Sequence, residues 1–209
     1  MSTIHFFQIF IAFYLKLVFL LTPFFILGYF LSVTHGLDQK EKTHLVVEVT
    51  KAIVIVCLLI FFGGRWIMQI FGITVDAFRA GSGVLLILTA INQVQTNDPP
   101  ERKRTISAAY LFEMALVPIA VPITAGPAVL GTLMVYGMDY GFPENIPLAL
   151  SIIVACVTIG VILYQADKIE KWLGRGRITI LTKLTGLILS AIAVQMITIG
   201  VRNLWFNAP

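Results

Sequence analysis

Val117-Pro118-Ile119-Ala120-Val121-Pro122-Ile123-Thr124-Ala125-Gly126-Pro127-Ala128 is apolar enough to sit in a membrane, yet it holds three prolines and a glycine within ten positions. Each proline removes an amide donor and crowds the carbonyl one turn before it, so no single unbroken helix accommodates the stretch. Hydrocarbon offers the freed carbonyls no water, and a broken segment at that depth lies against other helices or a water-filled cavity. A milder break with one proline occurs near the N-terminus, in Leu21-Thr22-Pro23-Phe24-Phe25-Ile26-Leu27-Gly28.

Working outward from these breaks, the chain reads as six apolar segments, at about 5–33, 45–70, 75–95, 110–137, 146–167 and 178–205, with the breaks in the first and fourth. Each reaches the roughly 20 residues that a helix needs to cross a bilayer. The composition agrees: 58% of the 209 residues are hydrophobic, 12% are charged and the mean hydropathy is +0.90. The expected fold class is an all-α membrane protein occupying 1–209 as one integral domain, its surroundings the lipid bilayer. The first segment is too long for a secretory signal, carries Lys16 and lacks a small-x-small site before Pro23, so it is expected to remain in the mature protein. Cys57 and Cys156 lie in apolar segments, as small packing residues.

Charge sets the expected orientation. Eleven of the fifteen basic residues flank the first, third and fifth connections: Lys40, Lys42 and Lys51; Arg102, Lys103 and Arg104; Lys168, Lys171, Arg175, Arg177 and Lys183. The fourth connection carries only Asp139 and Glu144. The positive-inside rule then places both termini outside. The run Arg102-Lys103-Arg104 lies beside two spans without interleaved aromatics, which argues for anionic lipid head groups and against nucleic acid.

Leu86-Ile87-Leu88-Thr89-Ala90-Ile91 and Leu187-Ile188-Leu189-Ser190-Ala191-Ile192 agree at five of six positions, and Pro23 and Pro127 break the first and fourth segments at a similar separation. These features predict two repeats, about 1–97 and 105–209. Three spans each make the second enter from the opposite face, so the repeats are inverted. Matched interruptions in inverted halves point to a transporter site near the midplane.

The chemistry of the breaks gives the candidate substrate-binding residues Thr22, Pro23, Thr124, Ala125, Gly126 and Pro127. Freed carbonyls suit an ammonium group, and the amides of a half-helix starting near Pro127 suit a carboxylate, so an amino-acid zwitterion matches both ends. A plain kink is the competing reading, and Thr22 could simply bond its own helix backbone. Glu113 is either a residue that couples transport to a proton or cation, or a water-facing carboxylate at the membrane edge. Asp76 and Arg79 are expected to form an intrahelical pair, and Lys16 is expected to snorkel outward. His5, His35 and His44 fall near the membrane edges, and no paired carboxylates or serine–histidine arrangement stands at depth, so neither catalysis, a cofactor nor a metal is expected.

Three stretches carry a resemblance to a known family: Phe71-Gly72-Ile73 with Phe78-Arg79-Ala80-Gly81-Ser82-Gly83; Val117-Pro118 through Pro122 to Ala125-Gly126-Pro127; and Thr182-Lys183-Leu184-Thr185-Gly186-Leu187 leading to Gln195. In these the chain resembles the MarC family of bacterial inner-membrane proteins, also called the six-span neutral amino acid transporter family. The resemblance implies a multi-pass protein of the cytoplasmic membrane and a small neutral solute such as glycine or alanine, with a homo-oligomer left open. The family's first span typically reads Asn/Asp-Pro-x-Gly-Asn-x-Pro, whereas Thr22 to Gly28 keep one proline, and Ala128 replaces the glycine that usually follows the second break. That departure implies a smaller or more apolar substrate, or a non-transporting accessory protein that retains the fold.

Overall fold

The computed structural model describes residues 3–34, 36–95 and 126–206. Among them the chain forms eight helices: α1 (Thr3–Leu20), α2 (Pro23–Val33), α3 (Gln39–Phe71), α4 (Val75–Gln95), α5 (Pro127–Asp139), α6 (Asn145–Tyr164), α7 (Ala166–Leu173) and α8 (Arg175–Phe206). Among the described residues five stretches are long and apolar enough to cross a membrane: Ile4–Ser32, which runs through α1 and α2, then Gln39–Phe71, Val75–Gln95, Asn145–Tyr164 and Gly176–Phe206; most of the fourth segment expected at 110–137 lies outside the described residues. The molecule is an all-α membrane protein.

Local chemistry explains where the helices differ from the apolar segments. α3 begins before the apolar run because Asp38 and Glu41 form a reciprocal capping box: the Glu41 amide donates to Asp38 Oδ1 at 2.7 Å and the Asp38 amide to Glu41 Oε2 at 3.1 Å. Its end is set by Gly72, whose φ of 63° is a left-handed conformation that glycine adopts without a Cβ penalty. The segment expected at 146–167 ends at Tyr164. Gln165 then turns the chain into α7, whose polar residues Asp167, Lys168, Glu170 and Lys171 alternate with Ile169 and Leu173, which pack on the core. That two-sided pattern suits a helix lying at a membrane surface.

Long-range contacts define two ends of the bundle. At one, His5 pairs with Glu144 at 3.5 Å, Arg79 reaches both Asp76 and Asp139, and Asn203 donates to Asp76 Oδ1 at 3.0 Å. At the other, Lys42 Nζ donates to both oxygens of Asp167, at 2.8 and 3.0 Å. Between them α1 runs parallel to α6, through the Ser151 hydroxyl donating to the Phe10 carbonyl and the pair Tyr14–Thr158. α3 runs antiparallel to α6, with Thr50 against Gly160. The Cys57 and Cys156 thiols are free, buried, and in contact across this α3–α6 seam.

The most extensive pairing is α4 with α8, and it is antiparallel. A Cβ on Gly83 would lie 2.9 Å from the Ala193 carbonyl oxygen, and one on Gly186 would lie 3.1 Å from that of Ala90. The two contacts exchange when Gly83 is matched with Gly186 and Ala90 with Ala193. The same matching equates buried Ser82 with Thr185, Leu86 with Leu189, and Gln93 with Met196. In hydrocarbon there is no hydrophobic drive between helices, and small residues that admit close backbone approach supply packing instead.

The two matching hexapeptides do not share this register. Aligning Leu86 with Leu187 sets a residue 1% exposed against one 57% exposed, and Leu88, at 53%, against fully buried Leu189. The identical strings therefore present different faces.

Apolar residues cover the outside as well as the core. Ile4, Phe7, Ile11 and Leu15 form an exposed stripe on α1, and Ile55, Leu59, Phe62, Trp66 and Ile70 another on α3. Water does not tolerate such continuous stripes, whereas lipid does. All three tryptophans, Trp66, Trp172 and Trp205, are exposed and close to helix ends, as in an interfacial aromatic belt.

Candidate functional site

The first break is sharp. α1 ends at Leu20, the Thr22 amide donates back to the Phe19 carbonyl at 3.1 Å, and Pro23 opens α2 at a position where its missing amide is harmless. Thr22 sits at φ 50° and ψ 61°, left-handed, and among the described non-glycine residues only it has a positive φ. The following proline disfavours the ordinary right-handed conformation at Thr22. For a β-branched residue the left-handed alternative costs about 1–2 kcal/mol. Thr22 is 3% exposed and makes no capping bond, so the surrounding packing must hold it there.

The second break ends in the same construction. Pro127 is the first helical residue of α5, and the Gly126 carbonyl accepts from the Leu130 amide at 3.1 Å, as the Thr22 carbonyl accepts from Ile26. Gly126 enters extended, with φ −61° and ψ 168°. Thr124, Ala125 and Glu113 lie outside the described residues. The helices that follow the breaks pack on different neighbours: α2 principally on α8, and α5 on α3 and α4. The lining at the first break is apolar, with Leu21, Ile26 and Leu27 fully buried around it.

Lys16 corrects an expectation. It does not snorkel outward: its Nζ donates to the Tyr136 hydroxyl at 2.9 Å and lies 4.8 Å from that ring, which also packs on Phe13 at 4.5 Å. A cation on the first span thus touches the helix that begins at the second break. The polarity of Tyr136, and its place on α5, made this partnership invisible from either segment alone. The Asp76–Arg79 pair forms as expected, at 2.9 Å, and acquires a third member in Asp139 and a fourth in Asn203.

Sequence reasoning missed Gln93. It is 1% exposed, and among the described residues neither its amide nitrogen nor its amide oxygen has a hydrogen-bond partner. Asn92-Gln93 close to the end of an apolar segment reads as a polar edge, and only the burial distinguishes it. Among the described residues no group of three or more His, Cys, Asp or Glu could hold a metal ion.

Apolar helices with lipid-facing stripes, interrupted by a strained turn at depth, define an integral membrane protein of the polytopic α-helical class. The sequence matches the profile of the MarC family integral membrane proteins over residues 7–205, and the chain belongs to that family. It is 35% identical to a UPF0056 membrane protein of Methanocaldococcus jannaschii over 202 residues, covering 94% of this chain and 97% of the relative. It is 26% identical to the UPF0056 membrane protein YhcE of Escherichia coli over 208 residues, covering 95% and 94%. A relative in Buchnera aphidicola subsp. Baizongia pistaciae is 28% identical over 203 residues. No solved structure matches.

Proposed function

We propose that the protein is a secondary carrier for a neutral amino acid or similar small solute, working by alternating access of two inverted halves. The observation that carries this reading is the pair of proline-opened half-helices, α2 and α5, each starting at a break in the backbone. The exchange of Gly83–Ala193 with Gly186–Ala90 supports an inverted relation between the third and last spans. The connectivity supports six crossings, because α4 ends and α6 begins at opposite ends of the bundle. With the end that holds Lys42 and α7 in the cytoplasm, the termini fall outside a bacterial cytoplasmic membrane. In this reading Gly126, Pro127, Thr124 and Ala125 hold the solute with Thr22 and Pro23, and Glu113 is available for ion coupling.

A non-transporting accessory role is the second reading. It is favoured by the apolar, fully buried residues Leu21, Ile26 and Leu27 that fill the first break. Thermal stabilisation of the detergent-solubilised protein separates the two, since a ligand that binds only the folded state raises apparent stability. Glycine, alanine or serine should stabilise the wild type, and Thr124→Val should remove the effect. A flat response across the neutral amino acids would favour the accessory role.

A further inference from the structure

We infer that Gln93 is a solute-binding residue, a neutral hydrogen-bonding contact supplied by α4 to whatever the protein carries. The inference rests on the carrier reading and adds to it a residue and a ligand chemistry. Gln93 is 1% exposed, and among the described residues both polar atoms of its carboxamide lack partners. Buried polar groups are nearly always paired, so an amide with neither end satisfied is a standing destabilisation that packing alone does not require. The matching position on α8 shows the alternative. Met196 occupies it, apolar, its sulfur accepting from the Thr132 hydroxyl of α5 at 3.6 Å. A side chain of similar length without the orphan amide therefore fits the same kind of seam.

The surroundings of Gln93 point the same way. It stands against Gly186 of α8, within a stretch where Thr182 and Thr185 are also buried. Both threonine hydroxyls are spent on their own helix, donating to the Ile178 and Leu181 carbonyls. Helix α2, which begins at the first break, packs on α8 as well. Counting about 1.5 Å per residue from the end where α1 and α4 both begin, Gln93 and Thr22 lie at nearly the same depth, roughly 27 Å along their helices. A carboxamide offers donors and an acceptor without net charge. The ligand it suits is neutral or zwitterionic and brings both an acceptor and a donor.

The test is Gln93→Met, which copies the residue at the matching position, with Gln93→Leu as a second apolar variant should the first not fold. Purified wild type and variant are titrated with glycine, alanine and serine, following thermal unfolding. Removing the orphan amide should raise the variant's ligand-free melting temperature by about 2–4 °C. Losing the contact should require about tenfold more amino acid for the same stabilisation. A variant that responds to the amino acids as the wild type does would overturn the inference and leave the carrier reading standing. A wild type that responds to none of them would overturn the carrier reading, and this inference with it.

Discussion

Thr22 is where the account is most exposed at the level of single residues. Pro23 disfavours the right-handed conformation at Thr22, whose left-handed backbone is held by burial without a capping bond from its side chain. Thr22→Gly should remove the Cβ penalty and leave the protein at least as stable as wild type, by up to about 1 kcal/mol. Thr22→Ala should keep the strain and gain nothing. Chemical unfolding of both variants checks the sign, and a Thr22→Gly variant destabilised by more than about 1 kcal/mol would mean that the hydroxyl, not the backbone, is what the site needs. Lys16 carries a similar lesson. Tyr136→Phe deletes the hydroxyl its ammonium group meets, and should weaken the α1–α5 contact without preventing insertion. Limited proteolysis at the 140–144 connection would report the loosening.

At the scale of elements, the α4–α8 seam makes the firmest prediction. Added methyl groups at Gly83 and Gly186 would each press on a backbone carbonyl of the partner helix, at 2.9 and 3.1 Å. Gly83→Ala and Gly186→Ala should therefore destabilise by similar amounts, about 1–3 kcal/mol, the first somewhat more. Equal tolerance of both in thermal unfolding would contradict the seam as described. These glycines also show what was legible beforehand. Helix existence and approximate extent follow from apolar runs, and the third span was read at the residues the structure gives, 75–95. Which face of a membrane helix is buried does not follow from hydropathy, because the lipid side is as apolar as the core. For that reason Leu86 and Leu187 look equivalent in the sequence and differ in burial from 1% to 57%. The ends depend on short polar motifs rather than apolar runs, so the Asp38–Glu41 box extended α3, and Gln165 divided the fifth segment from α7.

For the whole molecule, the interhelical ion pairs among the described residues lie at the two ends, with the neutral pair Tyr14–Thr158 and the Lys16–Tyr136 contact between them. Arg79 ties α4 to α5, while Asp76 ties α4 to α8. In the proposed carrier, such a cluster would hold one face closed. Arg79→Gln would remove the cation between Asp76 and Asp139, leaving two carboxylates near each other. Because these groups are partly exposed, the stability loss should be no more than about 1 kcal/mol after solvent screening. Its effect on the conformational balance should be larger in kind: a single cysteine placed at Tyr140 should become more reactive to a membrane-impermeant thiol reagent. The helix starts at Pro23 and Pro127 were legible at this scale because prolines are visible in a sequence. Gln93 was not, since its significance depends on neighbours from α8 that only the folded chain brings to it.

The most direct measurement is counterflow in proteoliposomes: purified protein, vesicles preloaded with unlabelled alanine, and uptake of external labelled alanine and glycine. The account predicts transient accumulation above equilibrium for wild type, and its loss in Gly126→Leu/Pro127→Leu protein that still inserts and folds. Wild-type counterflow in that double variant would contradict the site, and no counterflow in any vesicle, with any small neutral amino acid, would contradict the carrier.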